Sequence, residues 1–179
     1  MLIETDRLIL RHWEPRDAEP FAALNADPRV MEFLPSVLSG KESNAMIEAI
    51  ERRIDEQGFG LWAAELKSSK SFIGFIGLNV PEYRLPFSPC VEICWRLAHD
   101  HWGKGYASEG ALAALTFGFQ QIRLPEIVSF TTEKNIRSRG VMEKIGMIRD
   151  LAGDFVHPNL PGGHPLSKHV LYRKMNGAS

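Results

Sequence analysis

The residues best placed to do chemistry lie in Trp102-Gly103-Lys104-Gly105-Tyr106-Ala107-Ser108. Glycine adopts dihedrals that other residues avoid and lets the main chain come close to a ligand, so Gly103 and Gly105 mark a loop suited to contact. Lys104 adds a positive charge, and Ser108 adds a hydroxyl able to cap a helix or bond a phosphate oxygen. A strand-like run, Val91-Glu92-Ile93-Cys94-Trp95-Arg96-Leu97, leads into the loop. A helix-like run from Glu109 to about Ile122 leaves it, with Leu112, Leu115, Phe119 and Ile122 spaced by three and four residues. Strand, glycine loop and helix together leave N–H groups free at a helix start, where anions bind. This arrangement suits a cradle for phosphate or pyrophosphate; the plainer reading is a glycine turn that joins two elements. Two common phosphate motifs are excluded: G-x-x-x-x-G-K-[ST] is absent, and G-x-G-x-x-G fails because position 108 is Ser.

A second segment follows, Asn135-Ile136-Arg137-Ser138-Arg139-Gly140-Val141-Met142-Glu143-Lys144-Ile145-Gly146-Met147. Loop and segment together resemble the GNAT superfamily of N-acetyltransferases, in particular its RimJ/RimL-like branch. The superfamily loop pattern Q/R-x-x-G-x-G/A falls on Trp102, Gly105 and Ala107, with Trp in place of Gln or Arg, as is common in that branch. The opening Glu4-Thr5-Asp6-Arg7-Leu8-Ile9-Leu10-Arg11 and the closing His169-Val170-Leu171-Tyr172-Arg173 are similar to the branch as well. The resemblance therefore runs nearly end to end.

The resemblance implies direct transfer of an acetyl group from acetyl-CoA to a primary amine, either a protein N-terminus or a small molecule, in a ternary complex. Cys94 is the only residue near a nucleophile setting. Residues 103–108 (Gly103, Lys104, Gly105, Tyr106, Ala107 and Ser108), with Trp102, would hold the coenzyme. One N–H near Arg96 to Ala98, assigned to Leu97, would point at the thioester oxygen. Asn135 would touch the pantetheine arm, although Asn is equally a favoured helix cap. Ser138 is the implied proton donor to the coenzyme thiolate; the tyrosine that many other members use slightly further on has no counterpart in residues 142–145. Glu92 is the candidate general base, on the same strand face as Cys94 and Arg96. Its alternatives are a plain strand ion pair, Asp154, His157, His164 or bulk water. Arg137 and Arg139 are candidates for the nucleotide phosphates, but two residues apart on a helix they cannot point the same way. The rival readings are a non-catalytic acyl-CoA-binding module and a relative that uses a different acyl-CoA. No metal is expected. Cys90 and Cys94 with His99 and His101 suggest zinc, yet two cysteines four apart on one strand lie ~13 Å from each other.

The elements that must position these residues follow from periodicity. Leu8 to Arg11 reads as a strand, and Asp17 to about Asn25 as a short helix turning Phe21 and Leu24 inward. Ser39-Gly40-Lys41-Glu42 is a capping box for a second helix with a Met46, Ile50, Ile54 core stripe and a stop at Gly58. Leu61 to Leu66 and Phe72 to Asn79 read as a hairpin, followed by a proline-rich loop from Pro81 to Pro89. Ile127 to Thr132 is a strand leading to Asn135, and Gly146 closes a fourth helix. Ile148 to Val156 and Lys168 to Met175 are final strands joined by a loop from His157 to Pro165. The fold class is α+β, a mixed α/β sandwich, and the resemblance implies a central, mostly antiparallel, splayed sheet flanked by about four helices. Residues 1–179 read as one N-acetyltransferase domain.

A hydrophobic content of 44%, a charged content of 24% and a formal charge of −1 are ordinary for a soluble globular chain. They give no reason to expect bulk binding to nucleic acid or to an anionic membrane. Two cysteines and no apolar run of spanning length point to a cytoplasmic chain; the sequence leaves monomer and homodimer both open.

Overall fold

The structure, a computed structural model, describes residues 2–177. Two outer strands, Ile3–Glu4 (β1) and Leu8–Arg11 (β2), precede the helices Ala18–Ala26 (α1) and Gly40–Gln57 (α2). The hairpin Leu61–Leu66 (β3) and Phe72–Asn79 (β4) follows, then Glu92–Leu97 (β5) and Tyr106–Gln120 (α3). Glu126–Thr132 (β6), Ile136–Lys144 (α4), Ile148–Val156 (β7) and Lys168–Met175 (β8) complete the order. All eight strands form one sheet ordered β1-β2-β3-β4-β5-β6-β8-β7, antiparallel at every junction except β5–β6.

The helices sit where their apolar residues require. The capping box forms, with Ser39 accepting from the Glu42 amide and Glu42 accepting from Ser39, and Gly58 ends α2 in the left-handed region at φ +75°. Ile50 and Ile54 enter the core as the stripe predicts, but Met46 faces the central cleft as well. Consecutive residues of β4 show the two layers: Phe75 meets Phe21 of α1 at 6.1 Å, while Ile76 lies beneath α3.

α3 differs from expectation in two ways. It starts at Tyr106 rather than Glu109, and the predicted stripe is only part of its packing face: Leu115 is buried and Phe119 and Ile122 pack against the core, but Leu112 is 46% exposed. The buried positions are Gly110, Ala111, Ala114, Leu115 and Gly118. A Cβ on Gly110 would lie 2.4 Å from Ile76 Cδ1, and one on Gly118 would lie 2.7 Å from Ile127 Cδ1. Small residues therefore let the helix axis settle close to the sheet and bring its amino end down to the tip of β5.

The tip of β5 is set by Gly74, which pairs with Leu97. The β3–β4 register shifts at Ala64/Glu65, and Gly74 adopts φ +135°, where a Cβ would meet the Arg96 carbonyl at 2.1 Å. Gly74→Ala is accordingly expected to destabilise the fold by about 2 kcal/mol or more in urea unfolding. Gly40→Ala, with open space around it, should stabilise by about 0.5 kcal/mol. Equal effects would refute the strain at Gly74.

Candidate active site

β5 and β6 start together and then part. Their ladder holds Glu92 opposite Val128, with the Val128 N–H donating to the Val91 carbonyl at 2.9 Å and the Ser129 hydroxyl donating to the Ile93 carbonyl at 2.9 Å. Beyond that point β5 keeps only its β4 partner. The Ala98 N–H donates to the Ile73 carbonyl at 2.9 Å, which fixes the alternation: even-numbered residues of β5 bond β4, and Trp95 and Leu97 turn their amides to the opening. Of the span from Arg96 to Ala98, Leu97 alone offers its N–H to the cleft. Its carbonyl, on the same side, is taken by the Trp102 indole N–H at 2.8 Å. The departure from Gln or Arg at position 102 thus has a local reason, because the indole seals the strand end to the loop.

Gly103 and Gly105 both lie in the left-handed region, at φ +72° and +83°, and Gly105 is the residue before the first turn of α3. Ser108 is therefore inside that turn, which removes the capping alternative and leaves its hydroxyl on the cleft. Among the described residues, no protein acceptor takes the amides of residues 103–108. The loop is held from behind by a clamp that sequence reading missed. Arg7 donates to the Lys104 carbonyl at 2.9 Å and to Glu109 at 2.6 Å, and its guanidinium lies 4.6 Å from the Tyr106 ring centre. Glu109 also accepts from the Thr5 hydroxyl at 2.6 Å and from the Arg7 amide at 2.8 Å. Burial would raise this carboxylate, but the bonds from Thr5 and Arg7 hold it below its ordinary value. Lys104 itself is exposed and does not line the cleft.

α4 forms the opposite wall. Asn135 caps it, accepting from the Ser138 amide at 3.1 Å while donating to the Thr131 hydroxyl at 3.1 Å, and it lines the cleft as well. Ser138 lines the cleft. Arg137 also lines it, pairs with Glu32 and lies 4.7 Å from the Trp102 ring centre. Arg139 points elsewhere, to the Glu133 carbonyl at 3.1 Å and the Tyr172 hydroxyl at 3.4 Å, which corrects its candidacy as a phosphate ligand. Lys144, which the sequence reading did not name as a candidate, follows Arg137 and Val141 at i+7 and i+3, and all three line the cleft.

The cleft encloses about 980 Å³. On the α1–α2 side of the sheet its floor carries Glu92, Cys94 and Arg96 in a row, as strand alternation requires. Glu92 is buried, accepts from the Asn79 amide nitrogen at 2.7 Å, and is pushed up to about 7 because burial outweighs that bond. Burial, and then the Glu92 charge, raises the Cys94 thiol well above its ordinary value, so it is held as the thiol. Across the opening stand Phe130, His157 and His169, with the Tyr83 hydroxyl 3.0 Å from His157 Nε2. His157 Nδ1 accepts from the Asn159 amide at 3.3 Å, and His169 Nδ1 faces the Ser167 carbonyl at 3.2 Å. Burial lowers both rings, His169 to about 4. His169 is absent from the sequence-derived candidates, whereas Asp154, paired with Arg149, and His164 lie outside the cleft. Among the described residues no group of three His, Cys, Asp or Glu side chains is arranged to hold a metal ion, and no helix is long and apolar enough to cross a membrane.

A parted sheet with free amides beside a glycine loop defines a class of acyl-transfer proteins, and comparison gives its name. Residues 7–148 match the family described as "Acetyltransferase (GNAT) domain", and the chain belongs to that family. It is 35% identical over 144 residues to the uncharacterized protein YkkB of Bacillus subtilis, covering 80% of this chain and 83% of that one. A GNAT-family acetyltransferase from Bacillus anthracis superposes with a TM-score of 0.82 at 26% identity, over 99% of this chain and 100% of that one. RimL, a ribosomal L7/L12 alpha-N-protein acetyltransferase solved with coenzyme A, has the same fold, with a TM-score of 0.79 at 15% identity over the full length of both chains.

The buried carboxylate gives a signed prediction. Glu92 stays protonated to about pH 7 in the fold, against an ordinary value of 4.5. Between those values the folded chain binds more protons than the unfolded one, so this stabilisation is complete below the lower value and lost as pH rises through the upper. Relative to Glu92→Gln, the wild type should lose on the order of 3 kcal/mol of unfolding free energy across that window. A difference that does not vary with pH would contradict the burial argument.

Proposed function

We propose that residues 1–179 act as an acetyl-CoA-dependent N-acetyltransferase of the RimJ/RimL-like kind, transferring directly to a primary amine. The observation that carries this reading is the pair of unpaired main-chain donor sets, Leu97 at the strand tip and residues 103–108 in the loop, on either side of the bonded amides of Ala98, His101 and Trp102. Such donors suit a pyrophosphate at the amino end of α3. Arg137 and Lys144 supply positive charge beside them, and the fold shared with RimL, solved with coenzyme A, supports the same use.

The coenzyme supplies an acetyl thioester. Leu97 directs its N–H at the oxygen that gains charge as the amine nitrogen bonds the carbonyl carbon and the carbon–sulfur bond breaks. Glu92, titrating near neutrality, takes the amine proton through water, and Ser138 gives a proton to the departing sulfur. Cys94, held as the thiol, is not suited to carry an acyl intermediate, which favours direct transfer. The chain is read as cytoplasmic, acting alone or as a homodimer.

Release of coenzyme A thiol from acetyl-CoA with a panel of amines tests the reading, and turnover with none of them would refute it. Gly105→Glu, which brings bulk and negative charge into the loop, should abolish acetyl-CoA binding in calorimetry. Ser138→Ala should lower kcat by about a hundredfold with acetyl-CoA affinity little changed. An unchanged kcat would remove Ser138 from the mechanism. Arg7→Met should weaken acetyl-CoA binding by about tenfold through loss of the clamp, and unchanged affinity would show that the loop holds its shape without it.

A further inference from the structure

Arg96 differs from the other recessed arginines. Arg11 is paired with Asp17 and Glu65, Arg149 with Asp154, and Arg173 with Glu126 and Asp150. Arg96 sits on the cleft floor with no carboxylate partner among the described residues. Glu92, on the same strand face, is four residues away, ~13 Å at the rise of a strand, and is engaged by Asn79. Arg96 uses one of its five N–H groups, donating to Asn25 Oδ1 at 2.7 Å, and its guanidinium lies 5.3 Å from the Phe75 ring centre.

The guanidinium is also held in place. Asn25 is fully buried and donates to the hydroxyl of Ser43, itself fully buried, at 3.1 Å. α1 and α2 together thus fix the acceptor of the one bond Arg96 makes, and the remaining donors, on a side chain that lines the cleft, have no acceptor among the described residues. A recessed cation without a counter-charge is unfavourable, and burial drives this one down to about 10. An arginine left in this state is matched by a planar, doubly accepting anion.

From this arrangement we infer that Arg96, positioned by Asn25, binds the carboxylate of the acceptor, which is therefore a free amino acid rather than a simple amine or a peptide N-terminus. The inference rests on the acetyltransferase reading and deepens it. Arg96 and Leu97 line the same cleft, so a carboxylate bound at Arg96 keeps the α-amino group of the same molecule, two bonds from the carboxylate carbon, within that cleft. The facing wall of Phe130, Tyr83, His157 and His169 carries no second cation, since both imidazoles are neutral. That wall suits an uncharged, flat or apolar side chain and disfavours a second carboxylate.

The test compares L-phenylalanine, L-methionine and L-glutamine with their carboxamides and with peptides that begin with the same residues. Binding is measured by calorimetry in the presence of desulfo-coenzyme A, so that the readout does not need turnover. At least one free amino acid should bind about tenfold or more tightly than its carboxamide and its peptide. Arg96→Met should collapse that preference, and Arg96→Lys should retain part of it. Carboxamides or peptides that bind as well as the acids, or a preference unchanged in Arg96→Met, would overturn the inference. If Arg96→Met does not fold, the wild-type comparison and Arg96→Lys still decide it. Thiol release with carboxamides but not acids would overturn the carboxylate site and leave the acetyltransferase reading standing, whereas binding of acids without thiol release from any amine would do the reverse.

Discussion

Main-chain hydrogen bonding is the constraint on which the structure depends. A sheet strand must satisfy its amides, and each buried one left unpaired costs about 1–3 kcal/mol. β5 meets this demand along β4 as far as Leu97, but on its other edge it keeps β6 only at the beginning. The amides of Trp95 and Leu97, with those of residues 103–108, are left to solvent or to a ligand. A row left open between two interior strands, rather than at an outer edge of the sheet, concentrates binding capacity in a line within the cleft.

Several features far apart in sequence keep the line open. Gly74 allows β4 to approach the Arg96 carbonyl closely, which sets the strand tip. Trp102 folds back onto the Leu97 carbonyl and blocks a return to strand pairing there. Small residues on the buried face of α3 bring its amino end within reach of β5, and Thr5, Arg7 and Glu109 hold the glycine loop from the outer strands. Apart from Trp102, which also lines the cleft, these act from behind the site. They are the supports that a rigid anion site needs.

Much of this was legible in the sequence, and the exceptions have physical causes. The hairpin and the last two strands match their predicted bounds because these runs are framed by Gly, Pro and polar turns. The start of α3 was missed because a left-handed Gly105, not a side-chain cap, begins the helix. The small-residue part of its packing face was missed because Gly and Ala carry no hydrophobic pattern. Arg7 lies 102 residues from its partner Glu109, a separation no local pattern bridges. Lys144 was within reach, since the i, i+4, i+7 spacing from Arg137 already put it on the same helix face. Arg139 fails for the same geometric reason that had limited the pair to one ligand.

The cleft has an ordered distribution of charge, with cations near the loop, a recessed arginine beside the strand tip and a near-neutral carboxylate further along the floor. The central claim beneath all of it is that main-chain amides, more than side chains, hold the coenzyme. The most direct measurement is an amide ¹⁵N–¹H titration of the protein with coenzyme A. The largest shifts are predicted for Leu97 and residues 103–108, with the outer strand β7 unaffected. Saturable binding that leaves those amides unmoved and shifts another surface instead would contradict the account.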